Sequence, residues 1–276
     1  MTEVSAGTPR LVATDLDGTL LDSTGRVSPR TRAVLGELDA RGVPVVFTTG
    51  RPIRWMADLW DAVGGHGLAI CSNGGLVYDV ARQEVRTART ITAEVLLEVA
   101  ELLRRDLPGT VFALEKTTGF AREPEFMPRV AVHQSADVPT GPLEDLVDGD
   151  VVKLLARHED HEPEPFWEQV AGALGERVVT TWSSTGTLVE ISAAGVTKAT
   201  TLASVAAEMG IGPHEVVAFG DMPNDLPMLE WAGCSYAMAD AHPSVHDLAD
   251  HRAPDNDEDG VAQVLAGIFE LGAGHR

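Results

Sequence analysis

Cysteine is nearly missing from this sequence. Cys71 and Cys234 are the only two in 276 residues, too few for a disulfide framework and in keeping with a reducing compartment. Basic residues are also scarce: 21 Lys and Arg stand against 42 Asp and Glu, for a formal net charge of −21. Such a chain repels polyanions, which argues against nucleic acid and against an anionic membrane surface as partners. A small anionic substrate remains compatible, provided a cation or a local basic group receives it. No apolar run approaches the ~20 residues needed to span a bilayer. The opening "MTEVSAGTPR" lacks the apolar stretch of a signal peptide, so a cytoplasmic location is the expectation. Internal repeats and low-complexity tracts are absent as well. What remains is 44% hydrophobic and 23% charged, the balance of a soluble globular protein. The length suits one large domain or two modest ones with ample core. None of this sets an oligomeric state.

The first eighty or so residues alternate between two hydrophobic periods. "RLVATDL" reads as a buried strand. "SPRTRAVLGELDARG" reads as a helix that Ser28 can cap, with Pro29 in the first turn and Gly42 to end it. "VPVVFTTG" is a second strand, "RPIRWMADLWDAVG" a second helix and "GLAICSNGG" a third apolar run. This order predicts an α/β fold: a Rossmann-like, doubly wound parallel sheet with helices on both faces. The texture then changes to shorter strands with two helices, "TAEVLLEVAELLRRDLPG" and "EPFWEQVAGALG", as expected for an inserted α+β domain. The opening rhythm returns in "SAAGVTKATTLASVAAEMGI" and "EVVAFGD". The expected division is 1–82 and 189–276 for the split core and 83–188 for the insertion.

In a parallel sheet, ligands collect at the carboxyl ends of the strands, and four segments put polar chemistry there. Asp15 and Asp17 follow "LVAT"; Thr48 and Thr49 follow "VPVVF"; Lys198 opens the helix after "SAAG"; Asp221, Asn224 and Asp225 follow "VVAFG". If the strand persists, Asp15 and Asp17 share one face, and Gly18 allows a tight turn behind them. A calcium loop would need glycine and glutamate where Leu20 and Arg26 stand, which excludes it. A metal-holding Asp-x-Asp of the glycosyltransferase kind stays open. Alone, "TTGR" reads best as a helix cap. Lys198 in a first helical turn faces the positive end of the dipole, which makes sense if an anion sits there too. Four carboxylates meeting in one crevice repel each other unless a cation joins them. Hard oxygen ligands then point to Mg²⁺ rather than zinc. A metal with a lysine and hydroxyl and amide donors makes a phosphoryl-binding constellation.

Taken in order, "DLDGT" (15–19), "TTGR" (48–51), "SNGG" (72–75), "GVTK" (195–198), "GDMPND" (220–225) and "NDEDGV" (256–261) resemble the haloacid dehalogenase superfamily. The likeness is to its Cof-type phosphatases with a large α/β cap (class IIB). That resemblance implies a Mg²⁺-dependent phosphatase of a small phosphorylated metabolite, such as a sugar phosphate, working through an aspartyl-phosphate. It makes Asp15 the nucleophile and Asp17 the acid and base. Mg²⁺ would lie on the Asp15 carboxylate, the Asp17 main-chain carbonyl and Asp221. Thr49, the Leu16 and Gly50 amides, Lys198 and Asn224 would hold phosphate oxygens, with Asp225 orienting Lys198 or a metal-bound water. The cap would close over the crevice. One departure is Ala239-Asp240 where many relatives carry Gly-Asn; the extra carboxylate is expected to face solvent.

Other residues read more plainly. His158 and His161, in the charged and Pro-rich "RHEDHEPEP", are expected on a solvated surface. Trp55, Met56, Leu59 and Trp60 suit helix packing, and Cys71 a core thiol. For Arg51, a phosphate contact and a surface role are balanced, and Arg129, His133, Lys153 and Trp182 are candidate substrate contacts in the cap. A phosphomutase retaining the aspartyl-phosphate and a non-catalytic phosphosugar sensor are the alternative functions. The sensor is disfavoured because a pure binder needs neither Asp15 nor Asp17.

Overall fold

Leu11–Asp15 forms strand β1, every residue of it buried, because an apolar run this short is satisfied only with neighbours on both edges and both faces. A computed structural model describes residues 7–60, 63–127, 138–182 and 186–271. Along the chain the strands are β1, β2 (Val45–Thr48), β3 (Leu68–Cys71), β4 (Leu76–Asp79), β5 (Glu84–Ala88), β6 (Val111–Lys116), β7 (Gly119–Arg122), β8 (Val151–Arg157), β9 (Val178–Trp182), β10 (Leu188–Ala193), β11 (Val216–Gly220), β12 (Cys234–Ala237) and β13 (His251–Arg252). They make two sheets, ordered β13-β12-β11-β1-β2-β3-β4-β5 and β7-β6-β8-β10-β9. The chain divides into two compact units, the first ending at Arg86 and resuming at Lys198, the second running Thr87–Thr197. Strand β10 continues in the second sheet to Ala193, so the boundary drawn at 188 falls at the start of a strand and the unit closes beyond it.

In the first unit β1 lies between β11 and β2, all parallel, with Leu11 beside Val216 and Asp15 beside Thr48. That register brings the ends of β1, β2 and β11 to one edge of the sheet. Helix α1 (Pro29–Ala40) begins as read: the Thr31 amide donates to the Ser28 hydroxyl at 3.0 Å, and Gly42 takes a φ of +71° beyond its end. The second helix is shorter than its period suggests. A single turn at Ile53–Trp55 precedes helix α2 (Ala57–Trp60), because the Met56 amide bonds the Ile53 carbonyl three residues back and tightens the ladder. Met56, Leu59 and Trp60 are buried there.

In the second unit, helices α3 (Ala93–Asp106) and α5 (Pro163–Leu174), separated by the short α4 (Leu143–Leu146), pack on one face of the five-stranded antiparallel sheet. Leu96, Leu103, Phe166 and Val170 meet Phe112, Leu154 and Ile191 in that core, each worth ~1.5–3 kcal/mol when fully buried. The first unit is completed by α6 (Lys198–Glu208), α7 (Leu226–Trp231), α8 (Pro243–Leu248) and α9 (Gly260–Ile268). Among the described residues, no helix is long and apolar enough to cross a membrane.

Candidate active site

Strand β1 stops at Asp15, and the chain turns tightly through Leu16–Leu20, closed by the Leu21 amide on the Leu16 carbonyl at 2.9 Å. Gly18 takes a φ of +76° inside this turn. Asp15 stays buried at the strand end, whereas the Asp17 side chain is 54% exposed. The Arg51 guanidinium grips Asp17, its Nε lying 2.8 and 3.1 Å from the two carboxylate oxygens. The strand alternation ends at Asp15, so the two carboxylates are placed by the turn and take different partners.

Lys198, the first residue of α6, is 1% exposed. Its Nζ donates to Asp15 Oδ1 and, at 2.6 Å, to Asp225 Oδ1. The other Asp225 oxygen accepts the Asp221 and Met222 amides at 3.2 and 3.1 Å, and the Thr19 hydroxyl donates to Asp221 Oδ1 at 2.8 Å. Burial alone would lower the lysine pKa, but the charges of Asp15 and Asp225 outweigh it and hold the ammonium charged. Burial pushes the Asp15 carboxyl well above the ordinary range against the pull of Lys198, with repulsion from Asp225 and Asp221 adding to it. Burial, and then Asp225, push Asp221 up to about 7.

These shifts describe a cluster short of positive charge. Asp15, Asp221 and Asp225 offer carboxylate oxygens all within 4.8 Å of one another, and Lys198 is the ammonium set among them. Hard oxygen donors with a charge deficit fit Mg²⁺. Asp225 is committed to Lys198 and two amides, so Asp15 and Asp221 are the carboxylates left to ligate. Gly18 guards this arrangement. A Cβ there would come within 2.9 Å of Asp221 Cγ on a backbone that L-residues adopt reluctantly. Gly18→Ala is expected to cost ~1–2 kcal/mol of stability from the backbone alone and to weaken Mg²⁺ binding. Thermal melts and calorimetric Mg²⁺ titration check both.

Beside this cluster, Thr49 is fully buried just past β2. Its hydroxyl accepts the Arg51 amide at 3.0 Å, so its own proton is left to donate elsewhere. Gly50 follows it, and Leu16 follows Asp15 across the register. Asn224, between Asp221 and Asp225, gives its amide to Asn73 at 3.2 Å. Thr19 and Asn73 are the polar partners that motif spacing left without a role here, and Arg51, weighed between phosphate and surface, pairs with Asp17. Thr19 and Asn73 do lie within "DLDGT" and "SNGG", which was the available signal.

Elsewhere the expectations divide. His158 is buried, not solvated: it directly follows β8, and its Nε2 pairs with the Pro108 carbonyl at 2.8 Å. Strand β8 carries it inward, which the polar composition of its loop concealed. His161 stacks edge-on against it with centroids 4.3 Å apart. Lys153 is buried and pairs with Glu190 at 2.8 Å; Trp182 lies on β9; Arg129 and His133 lie outside the described residues. Asp240 is exposed and Cys71 buried, as expected.

The haloacid dehalogenase-like hydrolase profile matches residues 12–265. The 5-amino-6-(5-phospho-D-ribitylamino)uracil phosphatase YitU of Bacillus subtilis (strain 168) is 27% identical over 95% of this chain and 98% of its own. A phosphoglycolate phosphatase of Halorubrum lacusprofundi is 31% identical over 93% and 96%. In fold, the chain is similar to BT1666 from Bacteroides thetaiotaomicron, a phosphatase of the same superfamily, with a TM-score of 0.81 and 24% identity over 98% of each chain. The chain belongs to the haloacid dehalogenase-like hydrolases.

Proposed function

We propose that the protein is a Mg²⁺-dependent phosphatase that cleaves a small phosphomonoester through an aspartyl-phosphate on Asp15. The observation that carries this reading is the buried Lys198 ammonium held between Asp15 and Asp225, with Asp221 within ligand distance of both carboxylates. A nucleophile, a metal seat and a fixed cation thus occupy one strand edge. The curated relatives are named for chemically different substrates, a ribitylaminouracil phosphate and phosphoglycolate. What they share is the phosphomonoester, so the substrate class offered for this chain is a small phosphorylated metabolite, a sugar phosphate or a compound like it.

Lys198 donates to Asp15 Oδ1, and the attack is taken to come from Oδ2. That oxygen forms a bond to phosphorus as the bond to the leaving oxygen breaks, and Asp17 gives its proton to the leaving group. Water then attacks phosphorus, Asp17 takes the water proton, and the bond to Asp15 breaks to release phosphate. Because Arg51 contacts both Asp17 oxygens, the leaving oxygen has to displace the guanidinium to reach this carboxyl. Lys198, Thr49, the Leu16 and Gly50 amides and Asn224 hold the phosphate oxygens as charge shifts among them, while Asp225 fixes Lys198. Bound on Asp15, Asp221 and the Asp17 carbonyl, Mg²⁺ supplies neutralising charge between an anionic nucleophile and an anionic substrate.

Incubation with a generic aryl phosphate and Mg²⁺ tests the reading. Steady phosphate release is expected, and chelation should lower it at least ~100-fold, the loss of a few kcal/mol of charge stabilisation. Turnover only with a bisphosphate primer would favour a phosphomutase, and phosphosugar binding without turnover a sensor.

A further inference from the structure

The turn between β3 and β4 holds two non-glycine residues in left-handed backbone. Ser72, Asn73 and Gly74 have successive φ values of +53°, +54° and +107°, and the first two are buried to 2% exposure. Left-handed backbone costs an L-residue roughly 1–2 kcal/mol, and asparagine tolerates it better than most. Such strain persists only where surrounding contacts over-determine it.

Those contacts run to three segments of the site. The Ser72 and Asn73 amides donate to the Arg51 and Thr49 carbonyls, each at 3.0 Å. The Thr201 hydroxyl, one helical turn after Lys198 on α6, donates to the Gly74 carbonyl at 2.9 Å. Asn73 Oδ1 accepts from Asn224 Nδ2 at 3.2 Å. The turn thus ties together the Thr49 loop, the Lys198 helix and the Asn224 loop, which are far apart in sequence.

We infer that Asn73 is a positioning residue for phosphate binding, acting through Asn224. The inference rests on the phosphatase reading, since it takes Asn224 to hold a phosphate oxygen. An Asn224 NH₂ group has two protons. With one committed to Asn73, the amide plane is set, and the second proton has a fixed direction for an oxygen of the substrate. Without Asn73 the amide is free to rotate, and binding carries the cost of ordering it.

Asn73→Gly tests this, because glycine keeps the left-handed backbone at no steric cost and removes only the amide. The expected result is a KM for aryl phosphate raised about 10-fold, with kcat within about 2-fold and inhibition by inorganic phosphate weakened about 10-fold. That is the pattern of lost ground-state binding, and the thermal midpoint should stay close to that of the parent. In the double variant with Asn224→Ala, the loss should be no greater than for Asn224→Ala alone. Losses that multiply, or a fall in kcat that tracks a fall in thermal midpoint, would overturn the inference in favour of a purely structural turn. A parent active on aryl phosphate beside an unchanged Asn73→Gly overturns this inference alone. A parent inactive on aryl phosphate overturns the phosphatase reading and this inference with it.

Discussion

Asp15→Asn is expected to lower kcat for aryl phosphate by at least ~10³-fold while leaving the thermal midpoint unchanged or raised. Removing a covalent nucleophile eliminates the route itself and not only its efficiency, so the loss belongs with the largest seen for single substitutions. The stability half follows from burial. The Asp15 carboxyl is pushed well above its ordinary pKa, first by desolvation and then by Asp225 and Asp221, so its charge is a burden on the metal-free fold. Asparagine keeps the shape and an oxygen for Lys198 without that charge. Steady-state assays with Mg²⁺ and thermal melts in chelator check both halves. Residual activity within about 10-fold of the parent would deny Asp15 the role of attacking group.

Lys198→Met is expected to abolish turnover to a similar degree and also to cost ~3–5 kcal/mol of stability, the usual penalty for leaving buried partners uncompensated. Asp15 and Asp225 both accept from this one ammonium, and neither is at a surface where water could replace it. The sign with pH is fixed by the carboxylates. With the lysine gone, Asp15 and Asp221 lose the cation that pulls their raised pKa values down and rise further above the ordinary 3.8, so over that window the unfolded chain binds fewer protons than the native one. Stability then falls as pH rises. The deficit of the variant, measured by denaturant titration in chelator, should be larger at about pH 8 than at about pH 5. A deficit independent of pH would mean that the carboxylates are not what Lys198 compensates.

Much of the layout was legible along the chain. Apolar runs of strand length, spaced by helical periods, announced the parallel sheet. Asp15, Lys198 and the 221–225 segment were recognisable because strand-end carboxylates and a lysine at a helix start are each locally unfavourable. Residues placed against their own preference draw the eye. The break at Met56 was not legible, since the apolar period of a helix continues through it. The burial of His158 was concealed by the polar residues around it.

The paired Asp15 and Asp17 illustrate the division. Their spacing says that two carboxylates leave β1 together, but not that one turns inward to Lys198 and the other outward to Arg51. That split depends on Gly18 and on register with β2, whose end supplies the arginine 34 residues later. Asn73 is a second case: nothing in "SNGG" names Asn224 as its partner, 151 residues away. Hydrophobic period, capping and local strain act over a few residues and are written in order along the chain. Charge pairing and amide orientation act through space, so they exist only once β1, β2, β3 and β11 have brought their ends to one edge.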